Sequence, residues 1–312
     1  MSVAAQRAGR PLLVRVAIPH FFHPSDQGNG YGSTRADARV HRAIALGRCL
    51  GATLALAREA EEDILHLADR CIAKTPARRP GWSAEGIRID CHVFVTGDDW
   101  LPEVLGAFSG RLTVHRFALD DPRRLPQIAR NFLLTDAAEG EADLSLYLED
   151  DLVIQDRLYL DKLAWFAEHT TGRYVLMPHR FEQGADARLF VDGPLDASHL
   201  PRHQQPAADT VRIGFPDGQC IGFDIAANPH SGSFALSRPQ RQWIASRGLS
   251  EEVFIGPLET VATWTVLQHF PVLKPAWRDR DFLLIEHAHP SFLYLRGQWP
   301  GAARALPGAQ RE

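Results

Sequence analysis

The chain has 312 residues, 45% of them hydrophobic and 23% charged, with a formal net charge of −4. These proportions suit a globular protein with a sizeable core and exclude wholesale disorder, a collagen-like fibre and a membrane-embedded protein. No run approaches the roughly 20 uninterrupted apolar residues of a spanning helix, and the slightly acidic balance argues against a nucleic-acid partner.

Cys49, Cys71, Cys91 and Cys220 show no C-x-x-C spacing and are too few to staple such a chain, so buried, reduced thiols are expected. The opening MSVAAQRAGRPLLVRVAIPHFF does not read as a secretory signal. Its apolar run is short, broken by Arg15 and followed by no small-residue cleavage site, so a cytoplasmic location is expected.

Residues 1–11 read as a disordered lead-in. Leu12 to Phe22 is a buried strand. It leads into a Gly-rich loop, Gln27 to Arg35, which lacks the G-x-G-x-x-G spacing of a dinucleotide site. That loop either wraps a nucleotide, with Tyr31 stacking and Arg35 near the diphosphate, or is simply flexible. Val40, Ile44 and Leu46 predict a helix within 36–58, and a second helix is expected over Glu59 to Ala73. Thr75 to Gly86 is a loop. Ile87 to Thr96 alternates as a strand, with Asp98 or Asp99 positioned to cap a helix starting near Leu101. A strand follows over Leu112 to Phe117, then a helix over Leu125 to Thr135. Leu144 to Ile154 begins as a buried strand and breaks at three consecutive acids. Asp161 to Glu168 is predicted helical and Tyr174 to Pro178 extended. Residues 182–230 are polar and rich in Gly, Pro and His, as an insertion or loop system would be. Strands alternating with helices indicate an α/β fold with a largely parallel sheet, in one domain.

Glu149, Asp150 and Asp151 are the most informative residues. Three adjacent carboxylates between the apolar runs LSLYL and LVI repel one another unless something offsets their charge. Divalent Mn²⁺ or Mg²⁺, which prefer hard oxygen ligands and leave positions open for phosphate oxygens, would do so. Open α/β sheets also bind ligands at the carboxyl ends of their strands. The plainer alternative is a solvated turn with acids in a helix's first turn.

Leu146-Tyr147-Leu148-Glu149-Asp150-Asp151-Leu152-Val153-Ile154 resembles the metal-binding D-x-D motif of GT-A-fold glycosyltransferases, in an E-D-D form locally similar to the N-acetylglucosaminyltransferase I family. The resemblance implies a GT-A-like, Rossmann-type mixed sheet flanked by helices. Residues 12–300 would form one catalytic domain, with a nucleotide-sugar half over about 12–155, an acceptor half over about 156–300 and a tail over 301–312. It implies Asp151 as a direct ligand of Mn²⁺ or Mg²⁺. Glu149 and Asp150 would face the ribose, the metal shell or the donor sugar. Ala129-Arg130-Asn131 is similar to a segment that precedes the motif in such enzymes, where Arg130 approaches the donor or is an exposed helix charge. Ser231 to Arg238 resembles a small-residue loop between donor and acceptor, with Gly232 permitting close backbone approach.

Pro257 marks a helix start, which puts Glu259 in the first turn. By the resemblance Glu259 is the catalytic base that takes the acceptor's proton or a group that binds the acceptor, where the plainer reading is a helix-stabilising Glu; Glu251 and Glu252 are rivals. His287 and His289 end a strand read over Leu283 to His289, and by the resemblance either completes the metal site, with His287 preferred. The expected activity is metal-dependent transfer of a hexosyl or N-acetylhexosaminyl group from a nucleotide-diphosphate sugar, a UDP-sugar, to a glycan or other hydroxyl acceptor. The competing readings are a metallohydrolase or phosphoesterase and a non-catalytic nucleotide- or carbohydrate-binding module.

Overall fold

The computed structural model describes residues 10–24, 38–135, 142–191, 211–226, 228–249 and 255–296. The first half runs β1 (Leu12–Pro19), α1 (Arg39–Leu54), a hairpin of β2 (Glu61–His66) and β3 (Cys71–Pro76), β4 (Ile87–Thr96), α2 (Pro102–Gly106), β5 (Thr113–Phe117), α3 (Leu125–Thr135) and β6 (Leu144–Leu148). The second half begins with β7 (Leu152–Val153), α4 (Tyr159–His169), β8 (Val175–Leu176), β9 (His179–Gln183), β10 (Arg188–Phe190), β11 (Val211–Gly214), β12 (Cys220–Ile225), β13 (Ser233–Ser237) and α5 (Arg238–Arg247). It continues with α6, which is α-form over Pro257–Glu259, π-form over Thr260–Trp264 and α-form again over Thr265–Leu267. β14 (Val272–Pro275), β15 (Leu284–His287) and α7 (Ser291–Arg296) complete it.

The main sheet has the order β13-β6-β1-β4-β5. β1 pairs in parallel with both β4 and β6, β4 pairs in parallel with β5, and only β13 runs antiparallel, against β6. The fold is therefore mixed α/β with a mostly parallel sheet flanked by helices. Parallel central strands are buried on both faces and read as continuous apolar runs; every residue of β6 is buried. Alternate residues serve opposite faces. Val14, Val16 and Ile18 join Leu46 and Leu50 of α1 and Leu160 and Leu163 of α4 in one cluster. Ala17 and Tyr147 join Leu125, Ala129 and Leu133 of α3 and Val261 and Val266 of α6 in the other. Two smaller sheets, β10-β9-β15-β7 and β11-β12-β14-β8, extend the second half.

Several expectations need correction. Glu59 to Ala73 does not form a helix. Its apolar residues pair across strands instead, Leu65 with Ile72 and Ile64 with Ala73, and the turn closes with Arg70 at φ 50°. The spacing of Ile64, Ala68 and Ile72 suits a helical stripe, but the segment meets no core surface that would bury one, and both strands lie exposed. The helix within 36–58 exists, but it faces the core differently. Val40 and Ile44 are exposed, while Arg42, Ala45, Leu46, Cys49 and Leu50 form the buried i, i+3, i+4, i+7, i+8 stripe. Leu101, not Asp98 or Asp99, occupies the cap position of α2; Asp98 pairs with Arg116 and Asp99 with His23. Cys49 and Cys91 are buried and reduced, but Cys71 and Cys220 are exposed. Among the described residues no helix is long and apolar enough to cross a membrane.

Candidate functional site

Strand order reverses at β1: the chain passes from β1 to β4 and β5 on one side and returns through β6 on the other. A crevice opens outside the carboxyl ends of strands at such a reversal, and ligands bind there in open α/β sheets. Here those ends carry His20, just after β1, and Glu149-Asp150-Asp151, just after β6. β6 and β7 belong to different sheets, so the acidic triplet is the turn that carries the chain between them, closed by Leu152 N donating to Glu149 O at 3.2 Å.

Register brings the other groups in. β7 pairs antiparallel with β15, placing His287 opposite Leu152, and Ala288 N donates to Asp151 O at 2.8 Å. β9 lies parallel to β15 and delivers Arg180 and Glu182. β13 sets Ser233 opposite Leu148, so Gly232, at φ 66°, lies beside the triplet and accepts a bond from Glu149 N at 3.0 Å.

Each acid of the triplet is only 8% exposed. Arg42 reaches in from α1 and donates through Nη2 to both oxygens of Asp150 at 2.7 Å and through Nη1 to Asp151 Oδ2 at 3.0 Å. Leu101 N donates to His20 Nε2 at 3.1 Å, which leaves the proton on Nδ1, 2.6 Å from Asp150 Oδ2. Burial opposes ionisation of Asp150, but Arg42 and His20 outweigh it and hold the carboxyl below the usual carboxylate range. Asp151 is also held well below that range, burial again being outweighed by His287 and Arg42.

His287 sits between two carboxylates, with Nδ1 2.8 Å from Glu182 Oε1 and Nε2 3.4 Å from Asp151 Oδ2. Burial lowers its pKa, but Asp151 and Glu182 raise it more, to about 9. Glu149 goes the other way: burial first, then the charge of Asp151, push it up to about 8. Its Oε1 is buried without a hydrogen-bond partner. His230 is pushed down to about 3 by burial, then by Arg180 and Lys274. At neutral pH the wall therefore holds a neutral Glu149, two ionised aspartates, an imidazolium at His287 and two guanidiniums.

A cleft of about 420 Å³ opens on this wall. Glu149, Asp150, Asp151, Glu259, His287 and His289 all line it, so six of the expected residues come together. Glu259, half-buried in the first turn of α6, folds its carboxylate back over Gly256, where a Cβ would meet Oε2 at 2.6 Å. Gly232 is not a lining residue; its missing side chain makes room for Glu149 instead. Arg130 is neither exposed nor at the cleft. It is 2% exposed on α3 and borders a separate small cavity with Thr260 and Trp264. Tyr31, Arg35, Glu251 and Glu252 lie outside the described residues.

The donors expected for Mn²⁺ or Mg²⁺ are at the cleft but are not disposed as a coordination sphere. Among the described residues no group of three or more His, Cys, Asp or Glu side chains is placed to hold a metal ion. Asp151 Oδ2 faces Arg42 and His287, and both ring nitrogens of His287 face carboxylates. Of the expected set Glu149 Oε1 and His289 Nδ1 are buried without a hydrogen-bond partner, and these two atoms alone do not make a coordination sphere. As arranged, the residues do not fit the ion.

Sequence reasoning missed His20, Arg42, Arg180, Glu182 and His230. Two of them carried a signal. His20 directly follows the first parallel strand, where ligands gather. Arg42 interrupts an otherwise apolar helical stripe, and a charge on such a face needs a buried partner. Arg180, Glu182 and His230 depend on the pairing of β9 with β15 and on loop placement, which local pattern does not reveal.

No family model and no curated protein matches the chain. Solved structures do. The chain is 11% identical to S. aureus TarS 1-349, covering 84% of this chain and 58% of that one at a TM-score of 0.41. It is 11% identical to GalNAc-T7 solved with UDP, GalNAc and Mn²⁺, covering 89% of this chain and 43% of that one at a TM-score of 0.42. Against 4-diphosphocytidyl-2C-methyl-D-erythritol synthase from Anaerococcus prevotii DSM 20548 the identity is 10% and the TM-score 0.35, over 86% of this chain and 91% of that one. The chain thus spans little more than half of the TarS fragment and less than half of GalNAc-T7.

Proposed function

We propose that the chain is a glycosyltransferase that moves a hexosyl or N-acetylhexosaminyl group from a nucleotide-diphosphate sugar, a UDP-sugar, to a hydroxyl of a glycan or similar acceptor. The observation that carries the reading is the buried Glu149-Asp150-Asp151 turn, set at the strand-order reversal and opening on a cleft that also holds Arg180 and Glu259. Residues up to about 155 supply the donor side and those from about 156 to 300 the acceptor side, apart from Arg180, which β9 brings to the donor side.

In the reaction the bond between the anomeric carbon and the β-phosphate oxygen breaks, and its electron pair leaves with the nucleoside diphosphate. The acceptor oxygen bonds to the same carbon and gives its proton to Glu259. Arg180 supplies fixed positive charge towards the departing diphosphate, in a partly enclosed site where such charge is worth more than in water. Asp150, locked by Arg42 and His20, fixes the turn, and Glu149, whose Oε1 has no hydrogen-bond partner, faces the ribose or sugar hydroxyls. No step is assigned to a divalent ion, because the donors are not arranged to hold one.

A thermal-shift panel of nucleotide-sugars tests the reading, since a ligand that binds only the folded state raises its melting temperature. A UDP-sugar that stabilises the protein and is turned over to UDP with sugar on an acceptor supports it. A panel with no stabilising nucleotide-sugar removes it, and release of inorganic phosphate from a phosphate ester instead would make the protein a hydrolase.

A further inference from the structure

We infer that Arg42 takes the place of a divalent cation at the acidic turn, so that the cleft binds a nucleoside diphosphate without metal. This rests on the reading of the cleft as a nucleotide-sugar site and specifies how that site balances its charge. The guanidinium comes from the apolar stripe of α1, is itself 8% exposed, and lies among the carboxylate oxygens where a cation shared by the two aspartates would sit. Its three short contacts, at 2.7, 2.7 and 3.0 Å, engage both oxygens of Asp150 and one of Asp151. His20 adds a donor to Asp150 at 2.6 Å, so neither oxygen of that carboxylate is left to a metal without breaking a buried, charge-assisted bond. An ion entering here would have to displace a guanidinium that stays charged at any working pH.

One electrostatic task of a divalent ion at such a turn would be to keep a diphosphate from facing uncompensated carboxylates. Arg42 performs it from within the fold. Arg180 lines the same cleft and adds positive charge on the ligand side.

The test is calorimetric, on the full chain, with UDP and Mn²⁺ as probes. Wild-type protein is expected to bind UDP with the same affinity, within about twofold, in EDTA and in saturating Mn²⁺, and to show no Mn²⁺ binding of its own. Arg42→Gln leaves Asp150 and Asp151 facing each other without the guanidinium; it is expected to lose at least about tenfold in UDP affinity in EDTA and to regain it with Mn²⁺. UDP binding by the wild type only when Mn²⁺ is present overturns the inference and leaves the donor reading standing. Absence of UDP binding in both conditions overturns both. The wild-type comparison decides the matter even if Arg42→Gln does not fold.

Discussion

The backbone of Gly232 rests against the carboxylate of Glu149: a Cβ on Gly232 would lie 2.7 Å from Glu149 Oε2 and 2.9 Å from Leu152 Cδ1. The same residue holds φ at 66° and accepts from Glu149 N, so both conformation and space demand glycine. Gly232→Ala is expected to cost about 1–3 kcal/mol through backbone strain and displacement of the acidic turn. Its thermal melt should be lower than that of wild type, and its UDP affinity weaker because Glu149 and its neighbours are displaced. An unchanged melt would show that the turn relaxes without cost.

Glu259 lines the cleft beside the triplet, at the start of α6, with Gly256 leaving room for its carboxylate. Glu259→Gln keeps the shape and removes the basic oxygen. Sugar transfer should fall by about 10²–10⁴-fold while UDP affinity stays at the wild-type level. Transfer at the wild-type rate would assign the acceptor's proton to another group.

The contrast between α3 and the segment after α1 shows what local sequence determines. Leu125, Ala129 and Leu133 fall on one helical face and find the sheet beneath them, so pattern and structure agree over Leu125–Thr135. Ile64, Ala68 and Ile72 share that period, but the chain enters a hairpin that touches no core, and cross-strand pairing takes over. β1 and β6 were readable because buried parallel strands are apolar throughout, and β4 by its alternation. The acidic triplet was readable for the related reason that charges do not end a buried strand without a partner. The identity of that partner was not readable. Arg42 approaches from a helix more than 100 positions earlier in the chain, and no local signal encodes such a contact.

Arg58, just beyond α1, and Asp161, in the first turn of α4, form a two-pronged ion pair at 2.8 and 2.7 Å, and Ala84 N donates to the same carboxylate at 2.8 Å. The Asp161 side chain is 1% exposed and that of Arg58 13%. Removing one member strands a buried charge, so Asp161→Ala is expected to lose about 3–5 kcal/mol. Urea unfolding should show a lower midpoint with an unchanged slope. A loss below 1 kcal/mol, expected of a surface pair, would mean that water reaches Arg58 freely.

Stability should pass through a maximum near pH 6.5, because the shifted groups act with opposite signs on either side of it. His230, pushed down to about 3 from an ordinary 6.5, is neutral in the fold while the unfolded chain binds a proton, so its contribution grows as pH rises between those values. His115, His269 and His289 are lowered too and act in the same direction. His287, raised to about 9, does the reverse: its contribution is complete below 6.5 and is lost as pH climbs through 9. Glu149, raised to about 8 from an ordinary 4.5, stays protonated in the fold while the unfolded chain has released its proton, so it too costs stability as pH rises towards 8. Asp150 and Asp151 are lowered and titrate well below this window. Melting temperature should therefore decline from pH 6.5 to pH 9. Glu149→Gln, which cannot ionise, should decline less steeply and be at least as stable as wild type at pH 8. A decline of the same slope in wild type and variant would mean that Glu149 is ionised in the folded protein, and the charge balance of the acidic turn would have to be redrawn around it.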